Sequence, residues 1–117
     1  MRTISGSNTG MSGAVYDAVD SQGFLYVSNV TANAITIFAP TANGNVAPAR
    51  TIAGSLTGLS SPQGVAVDPN GITYVVNEGV PSILVFAAGA NGNVPPIRTI
   101  AGGNTTFSVP LGMKLAP

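Results

Sequence analysis

The chain has 117 residues, the size of one small domain, of which 44% are hydrophobic and only 7% charged, four basic against four acidic. His, Cys and Trp are absent, which removes disulfides, thiol nucleophiles, imidazole bases, Ser-His-Asp triads and the usual zinc sites. Four dispersed basic residues also lack the electrostatic footprint of a nucleic-acid binder. Met1-Arg2-Thr3-Ile4-Ser5-Gly6 has no signal-peptide apolar core, and the longest apolar run, Ile83 to Ala88, falls far short of the roughly 18 residues of a membrane span. Intracellular residence is the default for such an N-terminus, with an extracellular or periplasmic location open if the chain is a fragment.

The first element met along the chain, Arg2-Thr3-Ile4, recurs as Arg50-Thr51-Ile52 and as Arg98-Thr99-Ile100, a constant offset of 48 residues. The same offset, without gaps, lays Ala18-Val19-Asp20 on Ala66-Val67-Asp68, Tyr26-Val27 on Tyr74-Val75, Asn29 on Asn77 and Phe38-Ala39 on Phe86-Ala87. It also lays Asn43-Gly44-Asn45-Val46 on Asn91-Gly92-Asn93-Val94. About half of all positions agree, so residues 2–49 and 50–97 are two copies of one repeat and 98–117 begin a third.

Each copy carries four β-type runs; in the second they are Gly64–Val67, Ile72–Val76, Ile83–Phe86 and Arg98–Ala101. Asp68-Pro69-Asn70-Gly71 has the residues of a type I turn closing the first hairpin, and Asp20-Ser21-Gln22-Gly23 is the same device without Pro. Asn43-Gly44 and Asn91-Gly92 have the chemistry of tight turns at positive φ. No window has helical periodicity. Ile83 and Val85 face one way and Leu84 and Phe86 the other, yet all four are apolar, so each small sheet needs cover on both faces. The expected fold is all-β, built of four-stranded antiparallel β-propeller blades.

Residues 59–77, which contain Pro62-Gln63-Gly64-Val65-Ala66-Val67-Asp68 and then Gly71-Ile72-Thr73-Tyr74-Val75-Val76-Asn77, resemble an NHL repeat. The first copy departs at Ala14-Val15-Tyr16-Asp17, and the third keeps Pro110 and Gly112 but has Lys114 where Ala is expected. The resemblance implies that the Gly64–Val67 run lines a central channel and that Arg-Thr-Ile closes the rim. The chain then comprises two complete blades with an extra strand at each end. Propellers close with about four or more blades, so the expected partners are further blades, from a longer chain or from a homo-oligomer. Uncovered blade faces forfeit about 1.5–3 kcal/mol per large apolar side chain, and the isolated chain is expected to be oligomeric, aggregating or marginally folded.

Five residues are candidate ligand contacts: Tyr16, Asp17, Asn29, Asn77 and Glu78. Asp17 replaces the apolar Val65 of the second copy, and a channel-facing carboxylate there is a ligand or cation site, or else the mark of a decayed repeat. Asn29, Asn77 and Glu78 end the second run of each blade, and Glu78 offers oxygen to a ligand or to Ca²⁺; a solvated loop charge is the simpler reading. Asp20 and Asp68 read as turn caps, and the recurring Arg as a structural contact. No catalytic residue is identified. The function expected is a noncatalytic scaffold binding protein or carbohydrate through one propeller face. The alternative is a fragment of a propeller enzyme, lyase-like or calcium-dependent lactonase-like, whose catalytic residues lie outside this chain.

Overall fold

A computed structural model describes residues 3–101; Arg2, Pro110, Gly112, Lys114 and the third copy beyond Ala101 lie outside the described residues. The described elements are all β: β1 (Ala14–Val19), β2 (Leu25–Asn29), β3 (Ala34–Phe38), β4 (Arg50–Ala53), β5 (Pro62–Val67), β6 (Thr73–Asn77), β7 (Ser82–Phe86) and β8 (Arg98–Ala101). They form two antiparallel four-stranded meanders, β1-β2-β3-β4 and β5-β6-β7-β8. Their registers superimpose at the repeat offset, Tyr26 opposite Ile37 in the first sheet and Tyr74 opposite Val85 in the second. Each sheet therefore takes its outermost strand from the start of the following sequence copy.

The strands match the β-type runs closely, with one extension. The first strand of each sheet reaches back to Ala14 or Pro62 through a β-bulge, where the register shifts between Ala14 and Tyr16 and between Pro62 and Gly64. Asp20 and Asp68 cap the first hairpins as expected, each Oδ1 accepting two backbone N–H groups: Gln22 and Phe24 in one, Asn70 and Ile72 in the other, at 2.9–3.0 Å.

The Asn-Gly pairs do something else. They lie within the long β3–β4 and β7–β8 connections, and only their glycines have positive φ, 80° at Gly44 and 83° at Gly92. Gly92 forms a parallel bridge with Ile52 of the preceding sheet, the Asn91 Oδ1 accepts from Thr51 N (3.2 Å), and the Asn93 Oδ1 accepts from Leu56 N (2.7 Å). The motif is thus a clip between sheets instead of a hairpin turn. An identical clip recurs one repeat earlier: Ile4 bridges Gly44, Asn43 Oδ1 accepts from Thr3 N (3.2 Å), and Asn45 Oδ1 from Asn8 N (2.7 Å). The first Arg-Thr-Ile element is accordingly no sheet strand over its described residues; Ile4 makes an isolated bridge.

Cross-strand partners share a face. In the first sheet Tyr26, Ile35, Ile37 and Ile52 lie on one face, here the forward face, with Val27, Thr36 and Phe38 on the rear. In the second sheet Val65, Val75, Leu84 and Phe86 occupy the rear face. The buried core joins the forward set of the first sheet to the rear set of the second. Packing is therefore head-to-tail, forward face on rear face, and Ile35, Ile37, Ile52 and Phe86 are fully buried in it. Stacked sheets normally lie about 10 Å apart, but β1 and β5 come within 8 Å, Cα to Cα, while β4 and β8 make no comparable approach. The pair of sheets is a wedge, tight at β1 and β5 and splayed at the outer strands.

Candidate functional site

Clefts open on the described surface in at least two places. One, about 280 Å³, lies along the innermost strand and is lined by Met11, Ala14, Val15, Tyr16, Asp17 and Val27. Tyr16 and Asp17 come together here because β1 is an edge strand whose side chains are mostly uncovered; Tyr16 is 48% exposed. The corresponding strand β5 is largely buried, since the first sheet packs over it. The exposure of Tyr16 and Asp17 thus follows from their place in the stack as well as from their identity.

Asn29 and Asn77 go elsewhere. Both are fully buried. The Asn29 Oδ1 accepts from Ser12 N (3.1 Å), while its Nδ2 donates to Val27 O (3.1 Å), Ala34 O (3.3 Å) and Thr36 Oγ1 (3.1 Å). The Asn77 Oδ1 accepts from Ser60 N (2.9 Å), and its Nδ2 donates to Gly58 O (2.9 Å). These amides tie the segment preceding each sheet to the end of the second strand, and they do not line either cleft. Their recurrence reflects the cost of burying polar groups unpaired. Glu78 is half-buried in the turn after β6. Its backbone N–H bonds Ser61 O (3.1 Å), as Val30 N bonds Gly13 O (2.9 Å) in the first copy, so the carboxylate itself is not needed for that contact. Glu78 lines neither cleft.

The second cleft, about 330 Å³, lies between the sheets at the turn end and is lined by residues including Asp20, Phe24, Tyr26, Arg50, Asn70 and Gly89. Its floor is a charged chain of contacts. Tyr26 OH donates to Asp20 Oδ2 (3.1 Å) and accepts from Arg50 Nη2 (2.9 Å), while Arg50 Nη1 donates to Ala90 O of the second sheet's loop (3.1 Å). The guanidinium carbon also lies 5.6 Å from the Tyr26 ring centroid and 6.0 Å from that of Phe24, within cation–π range. Arg50 is thereby the pin between the two sheets. The repeat had marked Arg as structural, but it gave no means to see that its partners are Tyr26 and the next sheet's loop.

Burial raises the Tyr26 phenol pKa above its ordinary value of 10.0; Arg50 opposes that shift and Asp20 adds to it. A raised folded-state pKa means that the folded chain holds the phenolic proton more tightly than the unfolded chain. The associated stability is complete below about pH 10 and is lost as pH rises through the folded pKa. Tyr26→Phe is therefore expected to lower the melting temperature at pH 7, where its hydrogen bonds are worth about 1 kcal/mol or more. It is also expected to flatten the wild type's alkaline loss. Parallel melting curves of the two proteins from pH 7 to 11 would contradict this.

Among the described residues no group of three His, Cys, Asp or Glu side chains can hold a metal ion, and no helix is long and apolar enough to cross a membrane. All buried side-chain polar atoms among them have hydrogen-bond partners. What the geometry offers is a shallow cleft with an exposed phenol and carboxylate, suited to hydrogen bonding and ring stacking. Comparison with protein-family models and with curated proteins yielded no match.

Proposed function

We propose that the chain is a noncatalytic β-propeller-type scaffold of NHL-like blades that binds a protein or carbohydrate partner. The observation that carries this reading is the inter-sheet clip, repeated with the same hydrogen bonds 48 residues apart. Head-to-tail packing of the two sheets supports the same reading, because radial repetition stacks one blade on the next. Such stacking asks for further blades, from a longer chain or from other copies. Ligand recognition falls to the Tyr16–Asp17 cleft and to loop groups such as Glu78, while Asn29 and Asn77 hold the backbone that presents them.

The test is an array carrying glycans and peptides, followed by titration of the strongest hit. Tyr16→Ala is expected to weaken that binding about tenfold, equivalent to about 1.4 kcal/mol, with an unchanged melting temperature. Undiminished affinity in Tyr16→Ala would remove the cleft from the reading. Turnover of lactone or ester substrates with Ca²⁺ would favour the alternative, a fragment of a propeller enzyme.

A further inference from the structure

The cleft at the turn end shares no lining residue with the Tyr16–Asp17 cleft. Its volume, about 330 Å³, lies at the small end of the range for ligand pockets, roughly 300–1,000 Å³. The first sheet lines it with the turn from Asp20 to Phe24 and with Tyr26 and Arg50. The second sheet lines it with the equivalent turn at Pro69 to Gly71, and with Ala88 and Gly89 of the loop after β7. Two copies of one turn thus meet at a single cleft.

Its polar side chains divide into two sets. Asp20, Tyr26 and Arg50 are held in place: Asp20 accepts from Gln22 N, Phe24 N and Tyr26 OH, and Arg50 donates to Tyr26 OH and Ala90 O. All three recur one repeat later, as Asp68, Tyr74 and Arg98. Ser21, Gln22 and Asn70 are exposed, and their side chains make no hydrogen bond among the described residues. These rim positions differ between the copies, Ser21 against Pro69 and Gln22 against Asn70, as does the half-buried Phe24 against Ile72. The frame is therefore common to both copies, while the groups free to meet a ligand are particular to this cleft.

The chemistry of these groups defines the ligand. A guanidinium has more N–H groups than the two bonds of Arg50 use, and a carboxylate can accept beyond the three bonds of Asp20. An anion drawn to Arg50 meets Asp20, and a cation drawn to Asp20 meets Arg50, so the pair favours a neutral ligand whose adjacent groups both donate and accept. Vicinal hydroxyls do both. The Gln22 and Asn70 amides and the Ser21 hydroxyl are neutral groups of the same double character, and the negative face of the Phe24 ring suits the C–H groups of a sugar ring. We propose that the inter-sheet cleft is a second binding site, for a neutral hexose, anchored by Asp20 and Arg50 and selected by Gln22, Asn70 and Phe24. Tyr16 and Asp17 take no part in it, so its failure and that of the Tyr16–Asp17 cleft are separate results.

The experiment is an NMR titration of the isotope-labelled full-length chain with glucose, galactose, mannose and N-acetylglucosamine, with sodium acetate and glycine as charged controls. At least one sugar is expected to shift the Arg50 Nε–H signal and the side-chain amide signals of Gln22 and Asn70, saturating in the millimolar range of Kd. Combining Gln22→Ala with Asn70→Ala is expected to weaken that binding about tenfold with an unchanged melting temperature, since both side chains are exposed. Phe24→Ile, which supplies the residue that the second copy has at that position, is expected to weaken it as well, and Tyr16→Ala to leave it unchanged. The proposal is overturned by the absence of saturable shifts with every sugar, by equal affinity in the double variant, or by loss of binding in Tyr16→Ala. Acetate or glycine shifting the same signals as strongly as the sugars overturns it too.

Discussion

Phe86→Ala lowers the stability of the chain by about 3–5 kcal/mol, the range for truncating a buried aromatic side chain. Phe86 is fully buried and belongs to the core shared by both sheets, so its removal leaves a cavity between two β-sheets. Domains of ordinary size are stable by roughly 5–15 kcal/mol, and a two-sheet stack belongs at the lower end. Urea unfolding followed by circular dichroism should show the midpoint falling by at least half, or the loss of a cooperative transition. A midpoint within a tenth of the wild-type value would mean that the two sheets do not depend on one another for stability.

Gly54→Ala strikes the clip. Gly54 has φ of +125°, a conformation that a side chain rarely adopts, and a Cβ there would collide with Cγ and Oδ1 of the Asn93 side chain. Backbone strain of this kind costs about 1–3 kcal/mol, and displacing Asn93 also removes its bond from Leu56 N. Gly89→Ala is the control. Its φ is +77°, but a Cβ there meets nothing within 4 Å, so it carries only the left-handed penalty of about 1–2 kcal/mol. Thermal melts should place Gly54→Ala well below Gly89→Ala. Equal melting temperatures would show that the asparagine clip contributes nothing to the contact between sheets.

These two substitutions illustrate different degrees of legibility. That Phe86 is buried follows from its run: Ile83, Leu84, Val85 and Phe86 are apolar on both faces, and only a sheet covered twice hides all of them. The role of Gly54 and Asn93 was not readable in this way. Asn-Gly has a strong local meaning, the tight turn, and the recurrence of Asn43-Gly44-Asn45-Val46 agrees with that meaning as well as with an inter-sheet contact. The added signal lay in the second asparagine: a two-residue turn has no use for Asn45 or Asn93, whose carboxamides reach the segment after the preceding outer strand. Among the candidate site residues, Tyr16 and Asp17 line one cleft although neighbours on a strand face opposite ways, because the edge strand β1 leaves both uncovered. Asn29 and Asn77 look equally available in sequence, because an amide that caps a backbone and one that greets a ligand are the same residue. Their hydrogen bonding separates the two uses, since each amide has both its oxygen and its nitrogen bonded to backbone.

Strand order and two-sided burial of the inner strands were determined by the sequence alone, because they rest on interactions between near neighbours: the period of two along a strand, the Asp cap at each first turn, and the 48-residue repetition of both. The direction of stacking, forward face on rear face, was decided only in three dimensions, as were the wedge between the sheets and the pin from Tyr26 through Arg50 to Ala90. The physical reason is that apolar faces are attracted without direction. A run that is apolar on both sides announces that it must be covered but carries no mark of which copy covers which side. That choice is made by groups far apart in the chain, an arginine and a loop carbonyl 40 positions away, or an asparagine amide and a backbone N–H at a separation of 37, which meet only after each sheet has formed.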